Sequence, residues 1–89
     1  MYTMLRKYRK EAGISQAELA TFVGASPYMI ETWETNHRQM SASQAEVCAE
    51  LFGCDARDIV LIDSDNNVVG NKIDPMQSRT AKKKGRVWD

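Results

Sequence analysis

Few side chains in this sequence are spaced for covalent or metal chemistry. The single histidine, His37, lies in a polar link, and no serine or cysteine has a base at a plausible spacing. No pair of carboxylates is framed by a fold large enough for a pocket, so an enzyme is not expected, and neither is a cofactor. Cys48 and Cys54 stand six apart with no histidine at metal spacing, which predicts buried thiols rather than a disulfide or a metal site. Asp63, Asp65, Asn67 and Asp74 do fall on positions 1, 3, 5 and 12 of a calcium loop. Val68 replaces the loop's turn glycine, flanking helices are missing and the last ligand would be Asp rather than Glu, so no metal is expected there. What remains is the polar chemistry of recognition. Gln16 opens a predicted helix, whose free N–H groups favour a phosphate, and Tyr28, Glu31 and Thr32 can face outward from the next one. Arg6, Lys7, Lys10, Arg38 and a terminal cluster of Lys82, Lys83, Lys84 and Arg86 supply cations.

Short helices must hold these groups in place. Leu5, Tyr8 and Ala12 recur at helical intervals before Gly13, with basic residues on the other faces. Ser15 with Glu18 three residues on is a capping box that opens a second helix over about 16–23. Gly24 can end it, Ser26 can cap a third helix over about 27–35, and Pro27 falls at the first helical position, where a missing N–H costs nothing. Leu19, Ala20, Phe22 and Val23, then Ile30 and Trp33, give these two helices apolar faces that must pack on one another, because helices this short do not stand alone. Asn36 is suited to the left-handed conformation in the link that follows. Ser41 or Ser43 then caps a fourth helix reaching about Phe52, with Ala45, Cys48, Ala49 and Phe52 as a close-packing seam and Val47 and Leu51 on a neighbouring face. Asp55 can cap a short fifth helix to about Ile59. The strong turn signal at 63–67 predicts a hairpin of 59–62 against 68–73, which is marginal in water unless it packs on the helices or on a second chain. From Asp74 the periodic pattern stops and a flexible basic tail is expected.

The sequence of 89 residues has no net formal charge. Residues 1–62 carry six basic and eight acidic groups, whereas residues 63–89 carry six basic and four acidic, so attraction to phosphate must be local. No apolar run is long enough to cross a bilayer and no secretory leader is evident, so a cytoplasmic protein that does not meet a membrane is expected.

The segment GISQAELATFVGASPYMIETWE, followed by N-H-R-x-M-S and a further helix, resembles the Cro and phage-repressor type of helix-turn-helix. S-Q-x-E-L-A at 15–20, V-G-x-S at 23–26 and I-x-x-W-E at 30–34 agree with it in type and spacing together. The resemblance covers about residues 4–60 and implies an all-α, five-helix repressor-like domain over 1–60, extended by the hairpin or dimerisation element at 61–73 and the tail at 74–89. It implies that Gln16 bonds a DNA phosphate and braces the recognition helix, and that Pro27, Tyr28, Glu31 and Thr32 face the major groove. It further implies that Asn36, His37 and Arg38 approach the duplex backbone, and that Arg9 and Glu34 form a partly buried ion pair. Leu5, Leu19, Ala20, Val23, Ile30, Trp33, Ala49 and Phe52 match core places. Asn36 stands where Gly is common in the family and Met40 where Pro is common. No Arg, Asn or Gln stands at the exposed start of helix 3 for a bidentate bond to a base, so specificity would lean on apolar contacts and DNA shape.

The expectation is a sequence-specific regulator of double-stranded DNA, a homodimeric repressor on a palindromic operator. Arg6, Lys7, Lys10 and the tail cations are its auxiliary phosphate contacts. The competing expectation is a protein-binding adaptor on the same fold, antitoxin-like or anti-repressor-like, with a regulatory protein as partner. The acidic balance of residues 1–62 and the thin base-reading set favour that alternative.

Overall fold

Most helix ends are set by a residue suited to stop or start one. The computed structural model describes residues 2–75, and in it α1 is Met4–Ala12, α2 Gln16–Val23, α3 Pro27–Glu34 and α4 Ala42–Phe52. Ser15 and Ser41 accept from the N–H groups of Glu18 and Gln44, whose side chains return the bond in two complete capping boxes. Ser26 caps α3 through the Met29 N–H, with Pro27 at the helix start. Gly13, Gly24 and Gly53 close α1, α2 and α4 in the left-handed conformation. Asn36 takes the same region at φ 64, as its side chain and position predict. The predicted fifth helix is shorter than expected: Ala56–Asp58 make one 3₁₀ turn, capped by Asp55. Three residues before a strand leave no room for a second turn.

The helices converge on Leu5, Leu19, Ala20, Ile30, Trp33, Ala45, Cys48 and Ala49, all buried. Each large aliphatic among them stabilises the fold by about 1.5–3 kcal/mol relative to exposure. Val23 and Phe52, expected in this core, are only half-buried, and Phe52 stacks on Tyr8 with ring centroids 5.9 Å apart. Phe22 departs further, with 54% of its surface exposed, because α2 turns that side away from its neighbours. Trp33 is sealed completely, and its indole N–H has no partner among the described residues; the buried ring outweighs that cost of about 1–3 kcal/mol.

The hairpin joins the same core. β1 (Val60–Ile62) pairs antiparallel with β2 (Val68–Asn71), with a bulge between Leu61 and Ile62, and Ile59 and Val60 are buried under it. Its turn is tied by the Asp63 carboxylate, which accepts from Asp65 N and Asn67 N at 2.9 Å each. The chain start lies alongside: Thr3 bridges to Ile73, and Met4 N donates to Lys72 O at 2.8 Å. Order therefore runs past the expected start of the tail, since Asp74 is 3% exposed and its N–H reaches Tyr2 O at 3.0 Å. The N-terminal strand segment gives residues 72–74 a backbone partner that hydropathy alone does not reveal.

Both cysteines are free thiols. Burial, and then the nearby Cys54, push the Cys48 thiol from its ordinary 9.0 up to about 12. Burial and the Asp58 charge raise Tyr8 and Cys54 in the same direction. In the unfolded chain Cys48 ionises near 9.0, whereas in the folded chain it stays neutral to about 12. Its contribution to stability is complete below the lower value and is lost as pH rises toward the upper one. The Cys48→Ala variant is expected to lose stability more gently than wild type across this alkaline window, measured as the urea midpoint at successive pH values.

Candidate nucleic-acid interface

The third helix is anchored at its C-terminal end and open at its N-terminal end. Glu34, on its last turn, is 1% exposed. Its carboxylate accepts from Arg9 Nε, from Arg9 Nη2 at 3.1 Å and from Gln16 Nε2 at 3.1 Å. Arg9 also donates Nη1 to Ile14 O at 2.9 Å. One carboxylate thus ties α1 and the start of α2 to the end of α3, and the pair suggested by the resemblance is present. Thr3 supports the same end, donating Oγ1 to Trp33 O at 3.0 Å and N to Glu34 O at 2.8 Å.

At the other end Pro27, Tyr28 and Glu31 are exposed, Tyr28 at 68%. A helix N-terminus held out in this way presents its first residues to a groove. Thr32 does not share that exposure. It is 8% exposed, and its hydroxyl donates to Met29 O at 2.7 Å. The Thr32 carbonyl accepts from His37 N and Arg38 N at 2.8 and 3.2 Å, which joins the end of α3 to the loop that follows. The expected outward face is therefore narrowed to Pro27, Tyr28 and Glu31.

The loop itself carries Asn36, His37 and Arg38, all exposed. His37 Nδ1 lies 3.1 Å from Thr35 Oγ1, and the Arg38 side chain has no ion-pair or hydrogen-bond partner among the described residues. A groove of ≈170 Å³ between α1, α2 and α3 is lined by Tyr2, Arg6, Arg9, Gln16, Glu31, Glu34 and Thr35. Within it the Arg6 guanidinium sits 3.6 Å over the Tyr2 ring, which holds that cation beside the start of α2. Lys7 is half-buried and Lys10 exposed on α1. Lys82, Lys83, Lys84 and Arg86 lie outside the described residues. Among the described residues no group of His, Cys, Asp and Glu is arranged to hold a metal ion, and no helix is long and apolar enough to cross a membrane.

Sequence reasoning missed two polar residues that shape this region, Thr3 and Asn71. Both are buried, and both reach the Trp33 carbonyl. A buried Asn in a strand pattern is the available signal, since an amide there needs partners from elsewhere in the fold.

A helix-turn-helix family model matches residues 5–59, the span from Leu5 to the buried Ile59. Searches of curated proteins and of solved structures gave no match. The matched segment contains the capped α2, the Gly24–Ser26 turn and the open α3 in the arrangement described. The chain therefore belongs to the Cro/C1-type helix-turn-helix family of DNA-binding transcription regulators.

Proposed function

We propose that the protein is a dimeric repressor that binds a palindromic operator, with the start of α3 in the major groove. The observation that carries this reading is the contrast along one helix: Glu34 at one end is 1% exposed and Tyr28 at the other is 68% exposed. A braced helix with an exposed first turn is the kind of element that enters the major groove with its first residues toward base edges. Tyr28, with Pro27 beside it, offers a ring face for a thymine methyl and one hydroxyl; Glu31 can accept from a cytosine amino group. Arg38, His37 and Asn36 on one side, and Gln16 with Arg6, Lys7 and Lys10 on the other, contact phosphates. Gln16 keeps a second N–H after donating to Glu34, so bracing and phosphate contact are compatible.

A single small head touches few bases, and two-fold pairing doubles the contacts. Leu61 and Val69, 47% and 56% exposed on the hairpin, are the apolar residues best suited to join two copies. Repression then follows from occupancy of the operator. The second reading, a protein-binding adaptor, is favoured by the acidic balance of residues 1–62 and the thin base-reading set, to which the structure adds the exposed Phe22 on the helix next to Tyr28.

The Arg38→Ala variant tests the assignment. It is expected to weaken binding about equally on all duplexes and to lower the salt slope by about one unit, read by fluorescence anisotropy at several salt concentrations. No binding to any duplex by the wild-type protein, together with salt-tolerant binding to a protein, would instead support the adaptor.

A further inference from the structure

The loop that carries Asn36–Arg38 is tied down by a side chain from the far end of the domain. Asn71 on β2 is 3% exposed. Its Nδ2 donates to Arg38 O at 2.6 Å and lies 3.4 Å from Trp33 O, and its Oδ1 accepts from Met40 N at 3.1 Å. One amide therefore grips the last turn of α3, the middle of the loop and the residue where the chain re-enters the core. Asn is the side chain of this reach that both donates and accepts, so Asp, Ser or Leu at the position would leave a buried backbone group unpaired. The partner N–H belongs to Met40, a position where proline would offer none. Gln39 Nε2, donating to Val68 O at 2.8 Å, adds a second tie from the same strand.

The bond to Arg38 fixes that residue's carbonyl and leaves its guanidinium exposed. Asn71 lies outside residues 5–59, the segment that matches the family. We propose that Asn71 is a positioning residue for DNA binding: it sets the path of the loop so that Arg38 meets a phosphate, which makes the hairpin part of the reading apparatus. This rests on the assignment of Arg38 as a phosphate contact. The amide acts through Arg38, and its loss removes an oriented cation rather than a contact of its own.

A double-mutant cycle on a fluorescently labelled mixed-sequence DNA duplex tests this, with wild type, Asn71→Ala, Arg38→Ala and the double variant titrated at several salt concentrations below their melting temperatures. The expected result is that Asn71→Ala weakens binding about five- to tenfold and makes the salt slope shallower by about one unit. In the Arg38→Ala background the same change is expected to cost less than about twofold, because the contact it orients is already gone. Losses that multiply in the double variant, or wild-type binding by Asn71→Ala, would overturn the proposal. If the alanine variant does not fold, Asn71→Ser, which keeps a polar hydroxyl, takes its place in the same cycle with the same expected outcomes. If neither variant folds, Asn71 serves folding alone and the proposal fails. Wild-type protein that binds no duplex at all would remove the repressor reading and this inference together, whereas normal wild-type binding with a multiplying cycle would remove only the inference.

Discussion

Replacing Glu34 with alanine is expected to lower the unfolding free energy by about 3–5 kcal/mol. The Glu34 and Arg9 side chains are 2% and 11% exposed, so the loss of the carboxylate leaves a largely buried guanidinium without its ion partner. Arg9 would keep only its bond to Ile14 O, and Gln16 would lose its partner. A domain of this size is stable by about 5–15 kcal/mol in all, and each kcal/mol shifts the melting temperature of such a domain by about 4–8 °C. The melting point should therefore fall by more than about 12 °C, read by circular dichroism. The double change Arg9→Met with Glu34→Leu removes both charges together and should recover most of the loss. An unchanged melting point for Glu34→Ala would mean that water reaches the pair.

The second large effect concerns sequence preference. Tyr28→Ala is expected to leave stability within about 0.5 kcal/mol, because its exposed side chain takes no part in the Ser26 cap or in any hydrogen-bond network among the described residues. In the same variant, discrimination at the base pair that Tyr28 meets should fall by about 1–3 kcal/mol. Duplexes selected by wild type and variant from one random pool, sequenced side by side, measure this directly. Equal weakening on every sequence would place Tyr28 on the backbone rather than on a base.

Local signals predict the helical part of the fold because each depends on residues close in sequence. Ser15 with Glu18, Ser26 with Pro27, Asn36 at positive φ, and Gly13, Gly24 and Gly53 all act within one turn of the chain. The Arg9–Glu34 pair spans 25 residues and is legible only through the likeness to the family, since nothing in the spacing of two charges shows that they meet. Thr32 escapes prediction for a related reason. Helical periodicity puts it on the outer face, whereas in the fold it is 8% exposed with its hydroxyl turned back to Met29 O, a burial set by tertiary packing rather than by period. Phe22 shows the converse, an apolar residue left outside because the packing of α2 uses Leu19 and Ala20 instead. The contacts of Thr3 and Asn71 join the two ends of the domain to α3 across 30 and 38 residues, beyond the reach of any window along the sequence. Of the two supports expected for the hairpin, the helices or a second chain, those long-range ties show the first.

Entry of the α3 tip into duplex DNA is tested most directly by titrating the isotopically labelled protein with a duplex selected from a random pool and following the amide chemical shifts. Tyr28 and Glu31, together with Gln16 and Asn36–Arg38, are expected to shift on binding, while the buried Ala45, Cys48 and Ala49 of α4 stay in place. Shifts confined to α4 and the hairpin, with Tyr28 and Gln16 unmoved in a protein that binds the duplex, would contradict that placement.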